Sequence, residues 1–179
     1  MEKIIFENAM LELVKDTLDM AKPEHALLSA IMEFQTTSIE DLQQAGVQET
    51  VEDLTMLRER IKQFGKALED YKANDGDTED NAVCEVVEAL NDSLAADTVL
   101  GNAIELLGSS TDVEQLRSAK GRETVADLAN VCSAFVRLRD AIEHYFDSTL
   151  EAIEHFAEAE KEQAEAAVNV EAKYRWRGW

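Results

Sequence analysis

Five side chains that can bind a metal ion fall on one face of a predicted helix late in the chain. They are Asp140, His144, Asp147, Glu151 and His155, and spacings of four, three, four and four residues bring them to one side of a helix. Di-iron helical bundles also need Glu-x-x-His pairs on two helices, and this helix carries none. Because the apolar stripe of the helix leaves both histidines on another side, we predict a solvated face and no metal site.

Three shorter segments could be taken for reactive or ligand-binding sites, but each fits a simpler role. His25 follows Pro23-Glu24 with no nucleophile beside it, so we predict a surface residue. The loop at residues 74–80 is rich in Asp and Asn but lacks the residue order and bidentate Glu of an EF-hand, so we predict a turn. Gly108-Ser-Ser-Thr111 lacks the Gly-Lys-Ser/Thr ending of a phosphate-binding loop and is predicted to cap a helix.

Residues 173–179 combine aromatic and basic side chains and form the predicted partner-binding site. The segment Lys173-Tyr-Arg-Trp-Arg-Gly-Trp179 contains both tryptophans of the chain, three basic residues and no acidic residue. Trp, Tyr and Arg dominate the binding energy of protein interfaces, and leaving a large apolar side chain in water forgoes about 1.5–3 kcal/mol. The predicted contact residues are Tyr174, Arg175, Trp176, Arg177 and Trp179.

This aromatic segment has several possible destinations. We favour docking of this segment into another copy of the chain or into a different protein. Folding of the segment back onto its own bundle ranks only slightly lower. A disordered or membrane-associated segment is the third alternative. Arg and Trp can also bind phosphate and stack on bases. However, the chain carries a formal charge of -21, and subtracting the +3 of residues 173–179 leaves -24 on residues 1–172. That charge disfavours nucleic acid and anionic lipid, so we predict a protein partner or a homo-oligomer.

Composition places the chain among soluble, folded proteins. Its 179 residues are enough for one domain with its own core, and no apolar run approaches the roughly 20 residues that span a bilayer. The start of the chain lacks the basic and apolar regions of a signal peptide, so we expect a cytoplasmic protein or a particle assembled in the cytoplasm. Cys84 and Cys132 lie in apolar helical stretches and are predicted to be reduced core residues.

A single proline, seven glycines and an Ala-, Glu- and Leu-rich composition favour helix almost throughout. We predict a first helix at about residues 3–21, which ends before Pro23, and a second that pairs with it as a hairpin. Capping boxes are predicted at Thr37 and Thr111, with helix ends or pauses at Gly46, Gly108 and Gly121. The apolar residues assigned to these first two helices are Ile4, Ala9, Leu11, Val14, Leu18, Leu27, Leu28, Ile31, Met32 and Phe34.

The clearest apolar heptad begins near Thr50. Its members alternate at spacings of three and four, as in a coiled coil, and are Leu54, Leu57, Ile61, Phe64, Leu68 and Tyr71. After the turn at residues 74–78, the same spacing returns at Val83, Val87, Leu90 and Leu94. We therefore predict that the second of these helices folds back antiparallel on the first. A short helix at about residues 99–107 follows.

The last predicted helix is too long for a compact domain of this size. Residues 123–172 contain neither proline nor glycine, and a helix of about 50 residues would extend about 75 Å. A compact chain of this length has a diameter of roughly 40 Å. The helix must bend, break or project, and we favour projection of its last third. Its apolar stripe comprises Val125, Leu128, Cys132, Phe135, Ile142, Phe146, Ile153 and Phe156.

These patterns predict an all-α fold: an acidic antiparallel bundle over residues 1–122, a long coiled-coil-like helix over residues 123–172, and the aromatic-basic segment at residues 173–179. We identify no catalytic residue, cofactor or metal site. The leading functional hypothesis is a non-enzymatic assembly or adaptor protein, a structural subunit of a larger complex such as a virion. The alternative is an inhibitor that mimics DNA and binds a basic DNA-binding protein.

Overall fold

A computed structural model describes residues 2–36, 38, 40, 45–74 and 81–175 of the chain. The regular elements in these ranges are all helices, and no strand occurs among them. The helices are α1 (Glu2–Ala21), α2 (Pro23–Phe34), α3 (Ala45–Ala73), α4 (Asn81–Ser93), α5 (Ala96–Ser109), α6 (Val113–Leu116) and α7 (Ala119–Arg175). The all-α prediction is confirmed for this part of the chain. Within it, no helix combines the length and apolarity needed to cross a membrane.

The chain divides into two compact units, residues 1–142 and residues 143–179. In the first unit, α3 lies at the centre of the packing and contacts α1, α2, α4 and α5. Among the residues whose burial is described, every buried apolar side chain belongs to this first unit. The predicted divisions at residues 122 and 172, and the predicted projection of the last helix, stay predictions.

The heptad predicted from the sequence forms the buried side of α3. Leu54, Leu57 and Phe64 have no exposed surface, and the other three members are at most 2% exposed. The stripe extends toward the start of the helix through Val47 and Thr50, which are also buried. A side chain every three or four residues stays on one side of an α-helix, which explains why this helix buries its seam against several neighbours.

The buried stripe of α4 differs from the predicted one at two positions. Val86 and Ser93 are fully buried, whereas Val87 and Leu94 are only half-buried. The hydroxyl of Ser93 donates a hydrogen bond of 2.7 Å to the carbonyl oxygen of Leu90. Because this bond satisfies the hydroxyl group, a serine can occupy the core position that a leucine was predicted to fill.

A single residue separates α1 from α2. Lys22 adopts a left-handed conformation with φ of 42°, and its carbonyl oxygen accepts hydrogen bonds from the backbone of His25 and Ala26. Pro23 then opens α2, where a missing N–H costs nothing. The prediction of a helix end before Pro23 and a new helix after it is confirmed, and α1 and α2 are in contact.

The inner side of α2 uses smaller residues than the sequence pattern predicts. Ala26, Leu27, Ala30 and Phe34 are buried, whereas Leu28 is 53% exposed and Met32 is 70% exposed. Alanines on the inner side allow neighbouring helices to approach closely, and this choice of face turns Leu28 and Met32 outward. Of the apolar residues assigned to α2, Leu28 and Met32 therefore lie outside its buried side. In α1, Ala9 is exposed although its spacing placed it with the apolar residues, and Met10 is buried.

Several helix boundaries differ from the predicted ones. Gly46 lies in the first turn of α3 and Gly121 in the first turn of α7, so neither ends a helix. The cap of α6 is Asp112, whose side chain accepts a 3.1 Å hydrogen bond from the backbone N–H of Glu114, so the predicted cap at Thr111 was displaced by one residue. Thr37 and the turn residues 75–78 lie outside the described residues. The short helix predicted at residues 99–107 is longer and spans Ala96–Ser109.

One ion pair ties the first part of α7 to the α1–α2 junction. The Nε and Nη2 atoms of Arg139 donate to the two carboxylate oxygens of Glu24, at 2.8 and 3.0 Å. Nη2 also donates to the carbonyl oxygen of Leu18 at 3.1 Å. The side chains are only 32% and 22% exposed, and the paired guanidinium holds the pKa of Glu24 below its usual value. This bidentate pair joins α7 to the α1–α2 junction within the first unit.

Candidate functional site

The apolar stripe of α7 is buried in the first unit and exposed in the second. In residues 119–142, Leu128, Phe135 and Leu138 have no exposed surface. In residues 143–155, the stripe continues at Phe146, Leu150 and Ile153, which we call the exposed stripe. These side chains are 37%, 56% and 60% exposed. Spacings of four and three residues place the three side chains on one side of the helix.

Phe146 has an aromatic neighbour on its own helix. The rings of Tyr145 and Phe146 are 5.3 Å apart between centroids and meet at 78°, an edge-to-face arrangement. Such pairs add about 0.5–1.5 kcal/mol beyond the burial of area. Phe146 nevertheless remains more than a third exposed, so the contact leaves ring surface for another molecule.

The exposed stripe lies in a strongly acidic part of the helix. Between residues 143 and 158 the chain has five carboxylates and neither lysine nor arginine. The carboxylates are Glu143, Asp147, Glu151, Glu154 and Glu158, all of them exposed. A partner with apolar and basic side chains would match this surface better than an acidic one.

The five residues considered as metal ligands are all exposed. They are Asp140, His144, Asp147, Glu151 and His155. Within the described ranges, no group of three or more His, Cys, Asp or Glu side chains is placed to hold a metal ion. His25 is exposed, as the sequence predicts for a surface residue.

The aromatic-basic segment is only partly described. Tyr174 and Arg175 form the last residues of α7. Trp176, Arg177 and Trp179 lie outside the described residues. The role of these five residues in partner binding therefore stays a prediction.

Sequence reasoning missed Leu150 as a member of the exposed stripe. The signal was present, because Leu150 follows Phe146 by four residues and precedes Ile153 by three. The periodicity does not show whether a residue of the stripe is exposed, because the same spacing also includes Ile142, which is only 4% exposed.

An open cleft of about 320 Å³ lies in the first unit, between the α4–α5 junction and α7. Its apolar lining consists of alanine and valine side chains, and its charged lining residues are Asp92, Asp127 and Arg137. Arg137 Nη1 lies 3.1 Å from Asp92 Oδ2. The residues that line the cleft include no histidine, cysteine or serine.

Neither of the two cysteines is the fully buried core residue that the sequence predicts. Cys84 and Cys132 are half-buried and form no disulfide. Burial, and secondly the charge of Glu24, raises the pKa of the Cys132 thiol above its usual value. Since the thiolate is the reactive form, this environment lowers the reactivity of Cys132 at neutral pH.

Comparison with protein-family models, with curated proteins and with solved structures gives no match to this chain. The exposed stripe and its charged surroundings are therefore interpreted from their own chemistry.

Proposed function

We propose that this chain is a non-enzymatic acidic assembly protein, a structural subunit of a larger complex, that binds partners through α7 beyond Ile142 and through residues 173–179. The observation that carries the proposal is the exposed stripe. Phe146, Leu150 and Ile153 lie within two turns of helix, and burying each large apolar side chain gains about 1.5–3 kcal/mol. A helix that presents an apolar face with anchors at i, i+4 and i+7 is a common way of binding a protein partner.

The proposed architecture supports this role. In it, α3 and α4 run antiparallel within the bundle, and α7 continues a coiled-coil-like seam from the bundle into the second unit. The bundle then serves as an acidic body, and the helix carries the contact surface. A complex as large as a virion is one setting in which such a subunit would work.

Site-specific photocrosslinking in cells that express the full chain tests the proposal. A photoreactive phenylalanine analogue replaces Leu150 in one version of the protein and Met32 in the control version. Both positions are exposed apolar sites, at 56% and 70% exposure. We expect a discrete higher-mass adduct from position 150 and none from position 32. Absence of any adduct at position 150, with the protein folded and soluble, would contradict the proposed interaction role.

The DNA-mimic alternative draws on the acidic charge. The five carboxylates at residues 143–158 are spread over about 22 Å of helix, which is roughly one charge per 4.5 Å. A DNA duplex presents one charge per roughly 1.7 Å. This helix alone is therefore a sparse copy of the phosphate array, and the assembly role has the stronger support. A DNA mimic would displace DNA from a basic DNA-binding protein and lose this ability at raised salt.

A further inference from the structure

We propose that the exposed stripe binds residues 164–179 of a second copy of this chain, so that two α7 helices pair antiparallel beyond Ile142. This inference rests on the proposed function, because it names the partner of the same surface. Two independent arguments carry it: the reach of the aromatic-basic segment and the distribution of charge along the helix.

The aromatic-basic segment cannot cover the exposed stripe of its own helix. Ile153 and Arg175 belong to one continuous helix and are 22 residues apart, or about 33 Å at 1.5 Å per residue. Trp179 is four residues beyond Arg175, and four extended residues span at most about 14 Å. Trp176 and Trp179 therefore fall short of Ile153 and still further short of Phe146. The same segment of a second copy has no such restriction.

Charge favours the antiparallel orientation over the parallel one. Residues 143–158 carry five acidic and no basic side chains, a formal charge of -5 with histidines neutral. Residues 164–179 carry three basic and two acidic side chains, a formal charge of +1. Antiparallel pairing places -5 against +1 at both ends, whereas parallel pairing in register places -5 against -5. Like charges across a helix pair are unfavourable, so the antiparallel arrangement is preferred.

The residue types also fit this pairing. In the register that places Phe146 opposite Trp176, Leu150 lies opposite Ala172. Six of the nine residues from 164 to 172 are Ala or Val, which permits close approach of a second helix. At each end of the pair, Phe146 and Leu150 of one copy then meet an aromatic and a small residue of the other, and Ile153 lies opposite Asn169.

Sedimentation equilibrium of the purified full-length protein tests self-association. We expect a species of twice the 20.0 kDa chain mass, with a Kd that rises as salt is added. Replacing both Trp176 and Trp179 by Ala should raise this Kd by about 30-fold, the effect expected of interface hot spots. Ile153→Asp should also disrupt the dimer, whereas Met32→Asp, at a site 70% exposed in the first unit, should leave it intact.

A distance measurement between spin labels tests the orientation. Ser148→Cys is labelled in a chain whose Cys84 and Cys132 are replaced by Ala, and double electron–electron resonance is recorded on the dimer. Antiparallel pairing in the stated register places the second copy's residue 148 opposite residue 174, so the labels are about 39 Å apart along the axis. Parallel pairing would bring them to roughly the interhelical distance of about 10 Å plus the length of the labels.

The outcomes separate this inference from the proposed function. A salt-sensitive dimer with the long label distance supports the inference. A monomer at high protein concentration overturns it, and so does a dimer with the short distance or one that tolerates both tryptophan replacements. If the pure chain is monomeric while photocrosslinking at position 150 captures a different protein, the inference fails and the assembly role stands. If neither experiment detects an interaction, both fail.

Discussion

Replacing Arg139 by Met should destabilise the first unit far more than the same replacement of its neighbour Arg137. Arg139 donates three hydrogen bonds, at 2.8, 3.0 and 3.1 Å, to Glu24 and to the backbone of Leu18. Arg137 makes one ion pair with Asp92 at 3.1 Å, with side chains 62% and 53% exposed. Methionine retains the unbranched apolar part of either arginine, so the comparison isolates the charged group.

The expected magnitude follows from burial. A hydrogen bond to a charged group contributes about 1.5–3 kcal/mol, and loss of Arg139 leaves a carboxylate of low exposure without its partner. Since the pair retains some contact with water, we expect a loss of about 2–3 kcal/mol for Arg139→Met. An exposed pair contributes about 0–1 kcal/mol, which sets the expectation for Arg137→Met. For a chain of this length, the first loss lowers Tm by about 4–12 °C.

Urea unfolding followed by circular dichroism measures both variants, and a Glu24→Gln background completes a double-mutant cycle. We expect Arg139 and Glu24 to be coupled by about 1–2 kcal/mol. Equal stability of the Arg139→Met and Arg137→Met proteins would show that the bidentate pair does not hold α7 in place. So would a coupling energy near zero.

The same pair predicts how stability depends on pH. The hydrogen bond from Arg139 depresses the pKa of Glu24 below its usual value of 4.5. A group with a depressed pKa in the folded state contributes stability above its unfolded pKa and loses it as pH falls through the folded pKa. The stability difference between the native protein and Glu24→Gln should therefore be full at pH 7, begin to shrink below about pH 4.5 and vanish once Glu24 is protonated in the folded state. A difference that does not change between pH 7 and pH 3 would contradict this assignment.

Two further predictions concern the α6–α7 region and use matched controls. A Cβ atom at Gly121 would lie 1.9 Å from the carbonyl oxygen of Leu116, whereas one at Gly108 would meet nothing within 4 Å. Thermal unfolding should therefore show Gly121→Ala destabilised by about 1–3 kcal/mol and Gly108→Ala stabilised by up to about 1 kcal/mol; destabilisation of both alike would argue against the close contact. Asp112→Ala should cost about 1 kcal/mol through loss of the cap, and Thr111→Ala less than about 0.5 kcal/mol. A larger loss of stability for Thr111→Ala than for Asp112→Ala in chemical unfolding would show that Thr111 is the cap.

The heptad of α3 was predictable because burial there follows directly from spacing. Large apolar side chains recur every three or four residues along α3, so they all lie on one side of the helix, and that side is the one to be buried. Phe64 and Tyr71 lie on this side and are buried, as expected. On α2, by contrast, both sides carry apolar residues. Sequence could not decide between Ala26 and Leu28 for the inner side, because the choice depends on how closely α3 approaches.

The sequence predicted two of the three residues of the exposed stripe but not their exposure. Phe146 and Ile153 lie on the periodic stripe of the last helix, and the pattern alone predicts an apolar side. Whether that side has a covering neighbour depends on where the other helices end. In the described part of the chain, the buried positions stop at Ile142.

The sequence by itself determined the helical class, the acidic charge and the apolar stripe of α3, because these depend on residue type and on contacts within a few residues. Only the tertiary structure decided that Glu24 pairs with Arg139, 115 residues away, since such a contact depends on how whole helices pack. It also decided that Met32 and Leu150 face water while Val86 and Ser93 are buried. Periodicity orients residues around a helix axis, whereas burial also requires a second surface, and that surface comes from elsewhere in the chain.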